Sequence, residues 1–193
     1  MTSTKRTIPV KPAFLIVPGL RDFVPEHWQT FLAAQLPNAI TMPPLDKDRM
    51  KCGAQVAALD AVITRIEGPV IVIAHSAGVM TTVQWAKRYN RAIHGALLAT
   101  PPDFETPMPD GHSSMDVLEK NGWLPVPKAT LPFRSIVAAS RSDPLATFDR
   151  VADLASRWGS SLVDLGKVGH LNPASGYGPW PDAVDLVAEL ICS

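Results

Sequence analysis

The run Pro69-Val-Ile-Val-Ile-Ala-His-Ser-Ala-Gly78 passes from an unbroken apolar stretch into a turn of small residues, and then into helical spacing over Val79–Tyr89. It reads as strand, tight turn, helix. A strand with no polar alternation is one covered on both faces, as in a parallel sheet flanked by helices. Five other short runs share this character: Ala13–Val17, Ala39–Met42, Ile93–Ala99, Phe133–Ala139 and Ser161–Leu165. None reads as an edge-only strand. Between them Leu59, Val62, Ile63 and Ile66 recur at i, i+3, i+4 and i+7, as do Phe148, Val151, Ala152 and Ala155. Val184, Val187, Leu190 and Ile191 extend the same kind of stripe near the end. Alternating strands and amphipathic helices predict an α/β fold with about six parallel strands.

Composition narrows the partners. Across 193 residues, 18 Lys and Arg balance 18 Asp and Glu, which leaves no basic excess for a nucleic-acid backbone or an anionic membrane surface. The expected partner is a small-molecule substrate. Cys52 and Cys192 are too few for a disulfide framework and stand at no close metal spacing, which points to a reducing, cytoplasmic setting. Met1 to Lys11 holds no apolar run of signal-peptide length and is read as a tail, with one domain over residues 12–193. The longest apolar stretches fall far short of the ~20 residues that span a bilayer. His94 and His112 lack partners at zinc spacing, so no metal is expected.

Seven of the 19 prolines fall between Pro101 and Pro132, which excludes a long helix or a central strand there. The segment reads as an excursion with a short helix near Ser114–Lys120. It follows a strand, where such excursions often roof a site.

Ser76 stands in Ala74-His75-Ser76-Ala77-Gly78, a variant of the G-x-S-x-G nucleophile elbow with alanine at the first small position. The motif alone is weak, and the plain alternative is a βα turn with a serine helix cap. Two later residues strengthen it. Asp143 follows the strand Phe133–Ala139, and His170 follows Ser161–Leu165, in the Ser…Asp…His order and strand-end placement of an α/β-hydrolase. Taken singly, Asp143 is an ordinary turn aspartate and His170 a solvated loop histidine. Asp103, Asp110 and Asp164 are rival acids, the last inside a strand. Developing negative charge on a substrate oxygen needs backbone donors. Ala77 N–H, directly after Ser76, is one candidate. The other lies in Pro18-Gly19-Leu20-Arg21, with Leu20 N–H preferred over Arg21, on the expectation that Gly19 lets the backbone turn towards the site.

Further segments carry a family resemblance. Val17-Pro18-Gly19-Leu20 with Pro25-Glu26-His27-Trp28, the elbow, Ser142-Asp143-Pro144, and Gly169-His170-Leu171-Asn172 with Ser175-Gly176-Tyr177-Gly178-Pro179-Trp180-Pro181 resemble the YdeN-like serine hydrolases. These small α/β-hydrolases include the retinoblastoma-binding protein nine. The resemblance implies one compact α/β-hydrolase domain without a large lid, a Ser76–Asp143–His170 triad and no cofactor, in a family described as esterase-like or amide-cleaving on small substrates. Its substrate does not carry over; the activity expected here is carboxylesterase-like cleavage of small esters, with thioesters or amides as variants. A binding or scaffold protein with an unused triad is the alternative. The retinoblastoma partner does not carry over, since Leu190-Ile191-Cys192-Ser193 lacks the glutamate of the Leu-x-Cys-x-Glu motif.

His27, Trp28, Phe104, Trp123 and Trp180 are the substrate-pocket candidates, with Met108 beside Phe104. For His27 and Trp28, packing and loop fixing compete with substrate contact. Trp180, with Tyr177, is placed to wedge the histidine loop, and His75 to orient the elbow. A chain this short implies a shallow, fairly open site for compact substrates.

Overall fold

The computed structural model describes residues 11–20 and 24–192. Its centre is a six-stranded sheet: β1 (Ala13–Val17), β2 (Ala39–Thr41), β3 (Val70–His75), β4 (Gly95–Ala99), β5 (Arg134–Ala139) and β6 (Ser161–Asp164). The strands lie in the order β2-β1-β3-β4-β5-β6, and every neighbouring pair is parallel. Successive side chains of a strand face opposite ways. Leu15, Val17, Val72 and Ala74 therefore enter one core, and Phe14, Ile16, Ile71 and Ile73 the other. The helices α2 (Cys52–Arg65), α3 (Ala77–Arg88) and α5 (Phe148–Trp158) cover the first face, through residues such as Val56, Leu59, Val83 and Leu154. On the second, α1 (Trp28–Gln35) and α6 (Ala183–Ile191) pack through Trp28, Leu32, Val187 and Leu190. Burial on both faces is why the central strands carry no polar alternation.

β2 and β6 correct the expectation that no strand is an edge. They close the two sides of the sheet, and Ile40 and Leu162 are exposed. Such short strands offer too few side chains for one-sided burial to show as a pattern. The proline-rich excursion carries α4 (Met115–Lys120), capped by Ser114, whose hydroxyl accepts the Val117 N–H. Residues 1–10 of the expected tail lie outside the described residues.

The topology also locates a crevice. From β1 the chain moves outwards to β2, then returns past β1 to β3 and continues the other way. Where strand order reverses, the loops leaving the carboxyl ends of two adjacent strands diverge and leave a cleft. The ends of β1 and β3 carry Pro18–Leu20 and Ser76.

Candidate active site

Ser76 links β3 to α3 with φ 55° and ψ −128°, a conformation side-chain-bearing residues rarely adopt and one that costs on the order of 1–3 kcal/mol. Packing enforces it. A Cβ on Gly78 would lie 2.3 Å from the Val17 carbonyl oxygen and 2.6 Å from that of Pro18, so only glycine lets α3 start this close to β1. Gly19 does something other than the expected turning of an N–H, since its φ is not in the left-handed region. A Cβ there would sit 3.2 Å from Ser76 Cβ and 3.5 Å from its Oγ, so Gly19 leaves the serine its space.

The three separated residues meet. His170 Nε2 lies 2.8 Å from Ser76 Oγ, and His170 Nδ1 2.8 Å from Asp143 Oδ2. Asp143 Oδ1 accepts the Leu145 N–H at 2.9 Å, so both carboxylate oxygens are engaged and the side chain is only 2% exposed. The rival acids are elsewhere. Asp103 is buried against Arg150 at 3.1 Å, Asp110 is exposed, and Asp164 pairs with Arg141 at 2.7 Å.

Serine hydroxyls that sequence reasoning missed hold this arrangement in place. Ser140 Oγ accepts from the N–H groups of Ser142 and Val168, Ser142 Oγ from Gly169, and Ser175 Oγ from His170 itself at 3.0 Å. Ser140 and Ser142 stitch the loop after β5 to the loop after β6, and Ser175 ties the latter to itself. Gly169 has φ 58°, and a Cβ on it would meet Ser175 Cβ at 2.5 Å. His75 acts across the elbow, its Nε2 2.9 Å from the His170 carbonyl oxygen, and so braces the histidine loop against the end of β3.

His27, His75 and His170 are in ring contact, with centroids 4.6 Å and 4.9 Å apart. Burial, reinforced by the neighbouring His170, lowers the His27 pKa from 6.5 to about 4. Burial likewise drives His75 well below the ordinary histidine value.

A cavity of about 450 Å³ opens over Ser76. The Pro102–Leu118 stretch builds one wall, with Phe104, Met108 and Leu118, and α1 with the residues before it builds the other. Leu20, Ala77, His27 and Phe104 line the cavity. Trp28, Trp123 and Trp180 do not, which corrects their selection as pocket residues. Trp123 lies beneath Phe104, ring centroids 5.5 Å apart, with its indole N–H donating to the Met50 carbonyl. Trp28 and Trp180 pack edge-on at 4.9 Å in the second core, beside Leu171 of the histidine loop. Large aromatics gain most from complete burial, and these three are 1%, 1% and 5% exposed. Arg21 lies outside the described residues. Among the described residues no cluster of three His, Cys, Asp or Glu side chains is arranged to hold a metal ion, and no helix is long and apolar enough to cross a membrane.

A family model described as serine hydrolase matches residues 14–189. The chain belongs to this family. Among solved structures, this serine hydrolase is similar to a YdeN-like hydrolase from Pectobacterium atrosepticum, at 26% identity and TM-score 0.77, over 93% of this chain and 90% of that one. The ydeN gene product of B. subtilis superposes with TM-score 0.75 at 17% identity, over 95% and 100% of the two chains. Est1E from Butyrivibrio proteoclasticus shares the fold at 12% identity and TM-score 0.69, over 94% and 89%. No curated protein matches the chain in sequence. The family match and the P. atrosepticum structure place the chain among the YdeN-like serine hydrolases.

Proposed function

We propose that this serine hydrolase cleaves small carboxylic esters through an acyl-enzyme on Ser76, with His170 as general base and acid and Asp143 as the acid of the triad. The observation that carries the reading is the pair of 2.8 Å contacts joining Asp143, His170 and Ser76. A serine hydroxyl attacks slowly at neutral pH unless a base takes its proton in the transition state. His170 Nε2 is within hydrogen-bond reach to do so, and returns the proton to the departing alcohol. Asp143 holds the Nδ1–H tautomer and stabilises the imidazolium. In the second half-reaction water replaces the alcohol, and the same proton transfers release the acid and restore Ser76.

The oxyanion would be received by Ala77 N–H and Leu20 N–H. Ala77 is the first residue of α3, where backbone N–H groups have no helical acceptor and the helix dipole favours negative charge. Leu20 lines the same cavity from the end of β1. The cavity volume suits a medium-sized organic molecule. Thioesters and activated amides pass through the same tetrahedral intermediate and are the natural variants to screen.

Ser76→Ala is expected to abolish p-nitrophenyl acetate turnover and labelling by a fluorophosphonate. Turnover retained in that variant would remove the mechanism. Folded wild-type protein that resists labelling would point instead to a scaffold with an unused triad.

A further inference from the structure

Asp103, a rival acid by sequence, stands between the cavity wall and the turn that carries Asp143. Its side chain is only 6% exposed. Its backbone N–H donates to the Leu145 carbonyl at 2.9 Å, and the Leu145 N–H donates in turn to Asp143 Oδ1 at 2.9 Å. Leu145 lines the cavity, and so does Phe104, the next residue after Asp103. The start of the wall and the Asp143 turn are therefore joined through one pair of backbone groups.

Arg150 closes this connection into a ring. It stands in the first turn of α5, just beyond Leu145 in the chain. Its Nε lies 3.1 Å from Asp103 Oδ2, a charge contact not aligned as a hydrogen bond. Nη2 donates to Glu105, and Nη1 to Asp153 at 3.5 Å. Lys128 also pairs with Glu105, at 2.8 Å, and Asp103 Oδ1 accepts the Glu105 N–H at 3.0 Å. The Asp103–Glu105 segment is thus gripped twice from the Asp143 side, by a backbone carbonyl and by a guanidinium.

Stability alone does not account for the second grip. Taking Asp103 out of water costs about as much as its pairing returns, and apolar side chains of similar volume would fill the same space as well. What a guanidinium adds is direction, because its planar, rigid fork meets carboxylates at set angles. Direction matters at Asp143, whose other oxygen lies 2.8 Å from His170 Nδ1. A displacement of about 1 Å in a catalytic constellation costs on the order of 10²-fold in rate.

We propose that Arg150 is a positioning residue for ester cleavage, which clamps Asp103 and Glu105, holds the Leu145 turn in place and so keeps Asp143 aimed at His170. Arg150 does not line the cavity and acts only through these neighbours. The proposal deepens the reading of Ser76, His170 and Asp143 as a triad and rests on it.

The test measures kcat and KM on p-nitrophenyl acetate and p-nitrophenyl hexanoate, with kcat expressed per folded molecule from the native fraction seen by circular dichroism at the assay temperature. Arg150→Met, which keeps an unbranched stem without the charge, should lower kcat about 10- to 100-fold on both esters. Arg150→Lys keeps a charge and should recover part of that loss. Asp103→Asn keeps the oxygen that accepts the Glu105 N–H, leaves Arg150 its other two carboxylates, and should lower kcat by a smaller factor in the same direction. The deciding measurement is a cycle with Asp143→Ala. Once that carboxylate is gone the clamp has nothing to aim, so Arg150→Met should lower the remaining kcat by less than about twofold. Asp103→Asn takes its place in the cycle if Arg150→Met does not fold.

An equal loss with and without the Asp143 carboxylate overturns the proposal, because Arg150 then acts by another route. A raised KM for the hexanoate with kcat unchanged on both esters also overturns it, since Arg150 then supports only the Phe104 wall. Active wild-type protein whose kcat survives Arg150→Met and Asp103→Asn loses the clamp alone. Wild-type protein that neither labels with fluorophosphonate nor cleaves either ester loses the triad reading and the clamp with it.

Discussion

Ser76 and His170 meet at the lining of one cavity, yet the segments that present them are held by different forces. The elbow is held by exclusion, with Gly78 against the carbonyl oxygens of Val17 and Pro18, and Gly19 against Ser76 itself. The histidine loop is held mainly by attraction, through the hydroxyls of Ser140, Ser142 and Ser175 and the imidazole of His75. A steric constraint on backbone atoms has no gradual failure, because a carbonyl cannot yield as a flexible side chain can. A set of hydrogen bonds worth about 1 kcal/mol each loosens one step at a time.

That contrast can be broken or sharpened by measurement. The largest expected effect removes the charge that both segments serve. Asp143→Asn should lower kcat about 10⁴-fold, because the wrong imidazole tautomer then faces Ser76, while the thermal midpoint stays near wild type. A tenfold loss would mean that His170 is oriented chiefly by its loop. Next comes exclusion at the elbow. Gly78→Ala should cost on the order of 3 kcal/mol, or about 6–12 °C in melting temperature, together with fluorophosphonate labelling. A variant that melts and labels as wild type would show that β1 gives way.

Attraction in the loop should yield less. Ser142→Ala and Ser175→Ala should each reduce kcat about tenfold with KM little changed, and the double variant should approach the product of the two, since each hydroxyl serves a different N–H. An abrupt collapse in the double variant would instead make the loop as brittle as the elbow. The smallest effect is on acid stability. His27 and His75 have folded pKa values depressed below 6.5, so the unfolded chain binds more protons than the folded one between pH 6.5 and about 4. Stability should be full above pH 6.5 and fall as the pH drops through that window. His75→Gln should flatten this slope in urea titrations at pH 7 and pH 5, and an unchanged slope would remove His75 as a contributor.

The same contrast explains what the sequence made legible. Exclusion leaves its mark on residue identity, so Ala74, Ser76 and Gly78 could be read as an elbow once the later acid and histidine strengthened a weak motif, and unbroken apolar runs such as Val70–Ala74 as strands buried on both faces. Asp143 and His170 were legible because chain order and strand ends restrict where their partners can stand. Ser140, Ser142 and Ser175 were not, since serine is ordinary in any loop and its hydroxyl acts through geometry alone. The tryptophans misled for a related reason. Indole rings serve a cavity wall and a dry core equally well, and nothing in the residue type says that Trp123 lies one layer beneath Phe104, or that Trp28 and Trp180 meet behind the histidine loop.

Three imidazoles touch beside Ser76, and two of them resist protonation throughout the neutral range. In the proposed mechanism a hydrogen ion leaving the serine therefore has a single berth. Neither neighbour competes to hold it or relays it out to solvent, so it stays beside the departing group until needed, and the ring that receives it works as a private shuttle rather than the first stop of a wire.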